Sequence, residues 1–127
     1  MDYVEIIARV CYSAIFILFG INHFTKLDGM TQYAQSKNVP MAKIMVLFTG
    51  AVILFGGLSV LFNCQAQYGA PLLIGFLLIS AVKMHNFWAI TDPMAKAGEM
   101  ASFMKNISLA GATYFIYCSN HATCVVK

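Results

Sequence analysis

The chain has 127 residues, of which 60% are hydrophobic and only 10% charged, against roughly a quarter charged in an ordinary soluble domain. Too little polar surface is present to cover a folded body in water. The net charge of +3 comes from eight basic and five acidic residues with no basic run of the kind that neutralises phosphates, which argues against nucleic acid as a partner.

No repeat, low-complexity tract or linker divides the sequence, so one domain is expected. The first 24 residues carry Asp2 and Glu5 ahead of Arg9. This is the wrong charge order for a secretory signal peptide, no small-residue cleavage site follows, and the segment is expected to stay in the mature protein.

Crossing a hydrocarbon core about 30 Å thick takes about 20 apolar residues of helix, because unpaired backbone amides are costly there. Four stretches qualify: about Val4 to Phe24, Met41 to Phe62 after Pro40, Gly69 to Trp88 with Pro71 in its first turn, and Ala101 to Cys118. The expected fold is therefore an all-α integral membrane four-helix bundle. The polar connection from Thr25 to Pro40, with Lys26, Asp28, Gln32, Gln35, Lys37 and Asn38, is expected to lie at the interface. Asn63 to Tyr68 is short enough to make the second and third helices antiparallel neighbours, and Asp92-Pro93 reads as a turn signal.

Four spans would put both termini on one side and the two longer loops on the other. Lys26, Lys37, Lys43, Lys83, Lys96 and Lys105 fall on the loop side, against Arg9 and Lys127 on the terminal side. The positive-inside rule then puts both termini outside. Cys64, Cys118 and Cys124 share that terminal side, where they are either one disulfide pair and a thiol or three buried thiols.

Ionisable and polar groups in lipid should face the bundle interior. At 100° per residue, Arg9, Ser13, Phe16, Gly20 and His23 share a stripe on the first helix. Thr49, Ile53, Gly56, Val60 and Asn63 share one on the second, a packing stripe in which Gly56-Gly57 permits close approach. Glu99, Ser102, Asn106, Ala110, Thr113 and Tyr117 form the most polar stripe, on the fourth. His85 on the third aligns with Ala81, Leu78 and Ile74, whereas Lys83 projects about 160° away and snorkels to the headgroups.

By depth these residues form two clusters with an apolar middle. Towards the loop side lie His23, His85, Glu99 and Asn106, with Trp88 at the interface; towards the terminal side lie Arg9, Asn63 and Tyr117. The first cluster holds an imidazole and carboxylate pair able to relay a proton or hold a polar headgroup, or else a network that only fixes packing. Two histidines raise haem ligation, but they sit near helix ends and no C-x-x-C-H motif occurs. No Cys/His cluster at zinc spacing is present, so no metal is expected. Arg9 is suited to a lipid phosphate, a bound anion or a helix C-terminus, and equally to snorkelling to the nearby surface.

One resemblance rests on these residues: Arg9 with Phe16-Ile17-Leu18-Phe19-Gly20, Gly56-Gly57, the run Ala81-Val82-Lys83-Met84-His85-Asn86-Phe87-Trp88, and the run from Phe103 to Gly111. Over about residues 9 to 117 the chain resembles the DoxX family of small bacterial four-helix membrane proteins. That likeness implies a multi-pass protein of the bacterial inner membrane. It also implies a link to redox complexes, since the family name comes from a small subunit type of a thiosulfate:quinone oxidoreductase; related proteins are linked to cargo escort and receptor assembly. Many members carry a Glu near the start of the second helix where this chain has Thr49 and Gly50, so chemistry resting on that carboxylate is not carried over.

The resulting expectation is an accessory or anchor subunit of a quinone-linked membrane redox system, docked to a soluble or membrane oxidoreductase subunit and able to self-associate as a homo-oligomer. His23, His85, Glu99, Asn106 and Trp88 would receive the quinone headgroup. The alternative is a non-enzymatic scaffold or assembly factor, and a small-solute transporter ranks behind both for want of a continuous polar path. No nucleophile with a partnered base and no nucleotide-binding loop marks the chain as an enzyme by itself.

Overall fold

The computed structural model describes residues 2–120. Five helices follow one another: α1 (Tyr3–Thr25), α2 (Leu27–Ser36), α3 (Ala42–Leu61), α4 (Ala66–Met84) and α5 (Pro93–Ser119), with a 3-10 turn at Phe87–Ala89 between the last two. No strand occurs among the described residues. Among the described residues three segments are long and apolar enough to cross a membrane: Tyr3–Thr25, Ala42–Leu61 and Ala66–Ala89. The fourth expected span lies inside α5. That helix is the longest, at 27 residues, but Lys96, Glu99, Lys105 and Asn106 break up its apolar content, and it falls outside the class.

α1 packs along α3, α3 on α4, and α4 on α5. One core joins all four, with Phe16 from α1, Ile53 and Val60 from α3, Leu73 and Leu77 from α4, and Ala110 from α5. Side chains such as Leu18, Phe48, Ile79 and Phe115 point outward, which in water would be unfavourable and in lipid is ordinary, because hydrocarbon is as apolar as they are.

Close approach along α3 depends on glycine. A Cβ at Gly57 would stand 2.9 Å from Phe16 Cβ, one at Gly20 2.9 Å from Leu54 Cβ, and one at Gly56 2.4 Å from Leu73 Cγ. The stripe read as packing does pack: Ile53, Gly56 and Val60 are buried.

Its last member does something else. Asn63 adopts a left-handed conformation (φ 51°), its N–H bonds the Val60 carbonyl at 3.3 Å and the Cys64 N–H bonds the Ser59 carbonyl at 3.0 Å. These paired bonds close the end of α3 as a Schellman motif, with Asn where glycine is usual.

The segment 25–40 contains the helix α2, whose Ala34 packs with Ala42 and Val46 of α3, supported by Leu27, Met30 and Val39. It lies against the bundle instead of forming a loose loop.

Two helix ends depart from the sequence reading. α4 starts at Ala66, before Pro71, which therefore sits inside the helix and forfeits one backbone bond. Asp92-Pro93 is a helix start: the Asp92 carboxylate accepts from the Ala95 N–H at 2.8 Å, and Pro93 occupies the first helical position where its missing N–H costs nothing. α5 thus begins eight residues before the apolar run at Ala101.

Candidate functional site

A half-open cavity of about 510 Å3 is set into the bundle, lined by all five helices. Most of its wall is apolar, including Phe16, Phe19, Met30, Val46, Ile53, Leu72, Phe76 and Leu109. Its polar lining consists of His23, Tyr33, Thr49, Ser80, Lys83, His85, Lys105 and Asn106, with no acidic residue among them. His23, Ser80, Lys83 and His85 come from the ends of α1 and α4 next to the 25–41 and 85–92 connections and Tyr33 from α2, whereas Thr49 lies two turns into α3 and Lys105 and Asn106 midway along α5, so the polar lining is weighted towards one end of an apolar chamber. Gly75 also lines it, and a Cβ built there meets no atom within 4 Å.

His23 is buried and its Nδ1 lies 2.7 Å from the Phe19 carbonyl. A carbonyl can only accept, so Nδ1 carries the hydrogen and Nε2 of the neutral ring is an acceptor. Gly50 makes room for this side chain, since a Cβ there would stand 2.6 Å from His23 Cβ.

His85 is not on a helix face. α4 ends at Met84, and His85 is its C-cap with φ −117° and ψ 48°. The stripe with Leu78 and Ile74 therefore fails, and α4 buries Ala66, Gly69, Ala70, Leu73, Leu77 and Ala81 instead. The cap conformation aims His85 Nδ1 at Glu99 Oε2, 2.8 Å away, with both side chains about three-quarters or more covered. Glu99 stands behind His85 and does not line the cavity. Lys83, expected to point away from His85, lines the cavity too.

Asn106 is buried and its Nδ2 donates to Ser80 Oγ at 3.4 Å, tying α5 to α4. Thr49 spends its hydroxyl hydrogen on its own helix, 2.7 Å from the Met45 carbonyl, and presents only lone pairs. The Lys105 ammonium lies 5.7 Å from the Phe19 ring centroid, a cation-π distance. Tyr33 donates to the Met84 carbonyl at 3.4 Å. Burial first, and the Glu99 carboxylate second, hold its phenol above its ordinary pKa.

The structure thus gathers His23, His85 and Asn106 at one cavity and puts Glu99 behind His85. Trp88 stands apart, stacked edge-on with Phe87 and Phe103. Tyr33, Ser80, Lys83 and Lys105 were missed as lining residues. Tyr33 was lost because its segment read as a loop, Lys83 because it was expected to snorkel, and Lys105 because it entered only the count of charges on the loop side.

At the other end, Arg9 bonds Glu5 Oε1 at 2.8 and 3.0 Å and donates to the Val60 carbonyl at 2.9 Å. Of the roles suited to it, the structure forms the contact with a helix C-terminus. Asn63 serves the same helix end, and Tyr117 is half-buried in α5. Cys11, Cys64 and Cys118 are free thiols, and no disulfide joins them to one another; Cys124 and Lys127 lie outside the described residues.

The middle of the bundle is not purely apolar. Tyr12 and Thr113 share a hydrogen bond between α1 and α5, and the fully buried hydroxyl of Ser13, next to Tyr12 in sequence, has no partner. Among the described residues no group of three His, Cys, Asp or Glu side chains could hold a metal.

No solved structure matches the chain. Among characterised sequences, it is 31% identical over 107 residues to the inner membrane protein YphA of Escherichia coli K12, covering 84% of this chain and 76% of that protein. It is 28% identical over 108 residues to the inner membrane protein YqjF of the same organism, covering 84% and 75%. Residues 5–86, which hold α1 to α4 and His85, match the DoxX family model. With its three long apolar helices, the chain is an integral membrane protein belonging to the DoxX family.

Proposed function

We propose that the chain is an accessory subunit of a quinone-linked redox system of the bacterial inner membrane, holding a quinone headgroup in the cavity at the α2 end. One observation carries this reading: a chamber of about 510 Å3 has mostly apolar walls, with its hydrogen-bonding groups weighted towards the α2 end. That division matches a molecule with an isoprenoid tail and a ring bearing two carbonyl acceptors. Asn106 and Lys105 supply donors for such acceptors. His85, backed by Glu99, supplies a nitrogen that can give a proton to a quinone as the redox partner reduces it, or take one from the quinol as it is oxidised.

The membrane reading includes α5 as a fourth span, its polar face turned to α4 and α1 through Asn106 and Thr113. Both termini then lie outside and the α2 end faces the cytoplasm. The two inner membrane relatives support the location.

The test is a cavity filled from within. Gly75→Leu places a side chain where a Cβ meets nothing, so the helix should fold while the chamber closes. Protein extracted in mild detergent should carry quinone at a stoichiometric level, and Gly75→Leu should carry less than about a tenth of it, the loss a fully occupied site implies. Absence of quinone from the unaltered protein overturns the reading and favours a scaffold.

A further inference from the structure

A second concavity stands outside the chamber, an open groove of about 550 Å3 where the end of α2 meets the end of α4 and the 3-10 turn. Its polar lining is Ser36, Lys37, Asn38, Lys83 and Asn86, with Trp88 beside them, and no acidic residue contributes. Lys83 alone is shared with the chamber.

The two lysines carry uncompensated charge. Neither takes part in an ion pair among the described residues, where the carboxylates so engaged are Glu5 with Arg9 and Glu99 with His85. Lys37 Nζ donates to Asn86 Oδ1 at 3.2 Å and lies 5.9 Å from the Tyr33 ring centroid. Both partners are neutral. With its oxygen so used, Asn86 has its amide hydrogens left to offer.

The converging helix C-termini work against an anion, each carrying about half a negative charge at most. At α2 that effect is blunted, since the carbonyls of Tyr33, Ala34 and Gln35 already accept backbone N–H groups of residues 37–39. Two full ammonium charges outweigh what remains.

The groove also sits at headgroup depth. α2 lays its apolar side on α3 and keeps polar residues outward, and Trp88 is 54% exposed, the behaviour of a ring at a membrane interface. Val82 and Ile90 line the groove beside the lysines. Free phosphate would have no use for that apolar edge, whereas a phospholipid would.

We propose that this groove binds the phosphate of an anionic phospholipid, with Lys37, Lys83 and Asn86 on the phosphate and Trp88 against the glycerol and upper acyl region. Basic pockets between helices at this depth are suited to such headgroups. The site is separate from the quinone reading and survives its failure.

Trp88 is the single tryptophan of the chain, so its fluorescence reports on this groove alone. The protein is placed in phosphatidylcholine vesicles containing increasing fractions of brominated phosphatidylglycerol or, in parallel, brominated phosphatidylcholine. Trp88 should be quenched at much lower fractions by the phosphatidylglycerol. Lys37→Gln and Lys83→Gln should each reduce that preference about fivefold, while Lys37→Arg/Lys83→Arg keeps it and shows that the fold is intact. Equal quenching by the two lipids overturns the proposal, as does a preference unchanged in the double Gln variant. Inorganic phosphate is added as a third arm: failure to relieve quenching at millimolar concentration supports a lipid, and full relief there reassigns the groove to free phosphate and overturns the lipid source.

Discussion

The seam that α3 makes with α1 and α4, and the chamber at the α2 end, both depend on glycine, with opposite results. Along the seam Gly20, Gly56 and Gly57 stand where an added methyl group would overlap Leu54, Leu73 or Phe16. In the chamber Gly75 faces no atom within 4 Å. A small residue in a membrane helix therefore marks either contact or vacancy, and only the neighbour tells which. The seam makes the bundle rigid, and the vacancy leaves it something to enclose.

The strongest way to break this comparison is Gly56→Ala. The new methyl would stand 2.4 Å from Leu73 Cγ, on a side chain that is fully buried and has nowhere to go. Overpacking of this kind costs about 1–3 kcal/mol, read as loss of stability by steric trapping in bicelles. Pairing it with Leu73→Ala should recover part of the loss, because the double variant removes the clash; additive losses would mean that the seam is not set by that contact.

Arg9→Gln should come next. It removes a charged donor from the Val60 carbonyl and leaves that helix end to Asn63, a loss of about 1.5 kcal/mol or more. The same unfolding measurement in Glu5→Gln separates the terms: the exposed ion pair with Glu5 should contribute well under about 1 kcal/mol.

Gly75→Leu should have the smallest effect on stability. It adds a helix-favouring residue in open space, so stability should hold or rise by up to about 1 kcal/mol even as the quinone proposed for the chamber is lost. Destabilisation comparable to Gly56→Ala would show that the chamber is packed and end the contrast.

Sequence periodicity located α1, α3 and α4 to within a few residues because apolar length is a strong signal in lipid. It was weaker wherever a helix end decided direction. His85 was placed on a face that does not exist, since nothing in the run from Ala81 to Trp88 announces that α4 stops at Met84. α2 was legible only as polar composition, because a short helix that borrows its stability from Ala42 and Val46 leaves little pattern of its own. Asp92-Pro93 carried two meanings, turn and helix start, and the capping bond to Ala95 chose the second. The cavity residues His23 and Asn106 were found from the rule that polar groups in lipid face inward. Lys105 and Lys83 escaped it because long flexible cations satisfy that rule in either direction.

The order in which the helices are made gives the bond between Tyr12 and Thr113 a further meaning. In the four-span reading α5 is the last to reach the membrane and the least able to rest there alone, since Asn106 and Thr113 would meet hydrocarbon bare. Their partners, Ser80 on α4 and Tyr12 on α1, belong to segments synthesised earlier. Synthesis from the N-terminus thus prepares a berth for the polar helix before it arrives, and a chain lacking α1 and α4 would leave α5 without one.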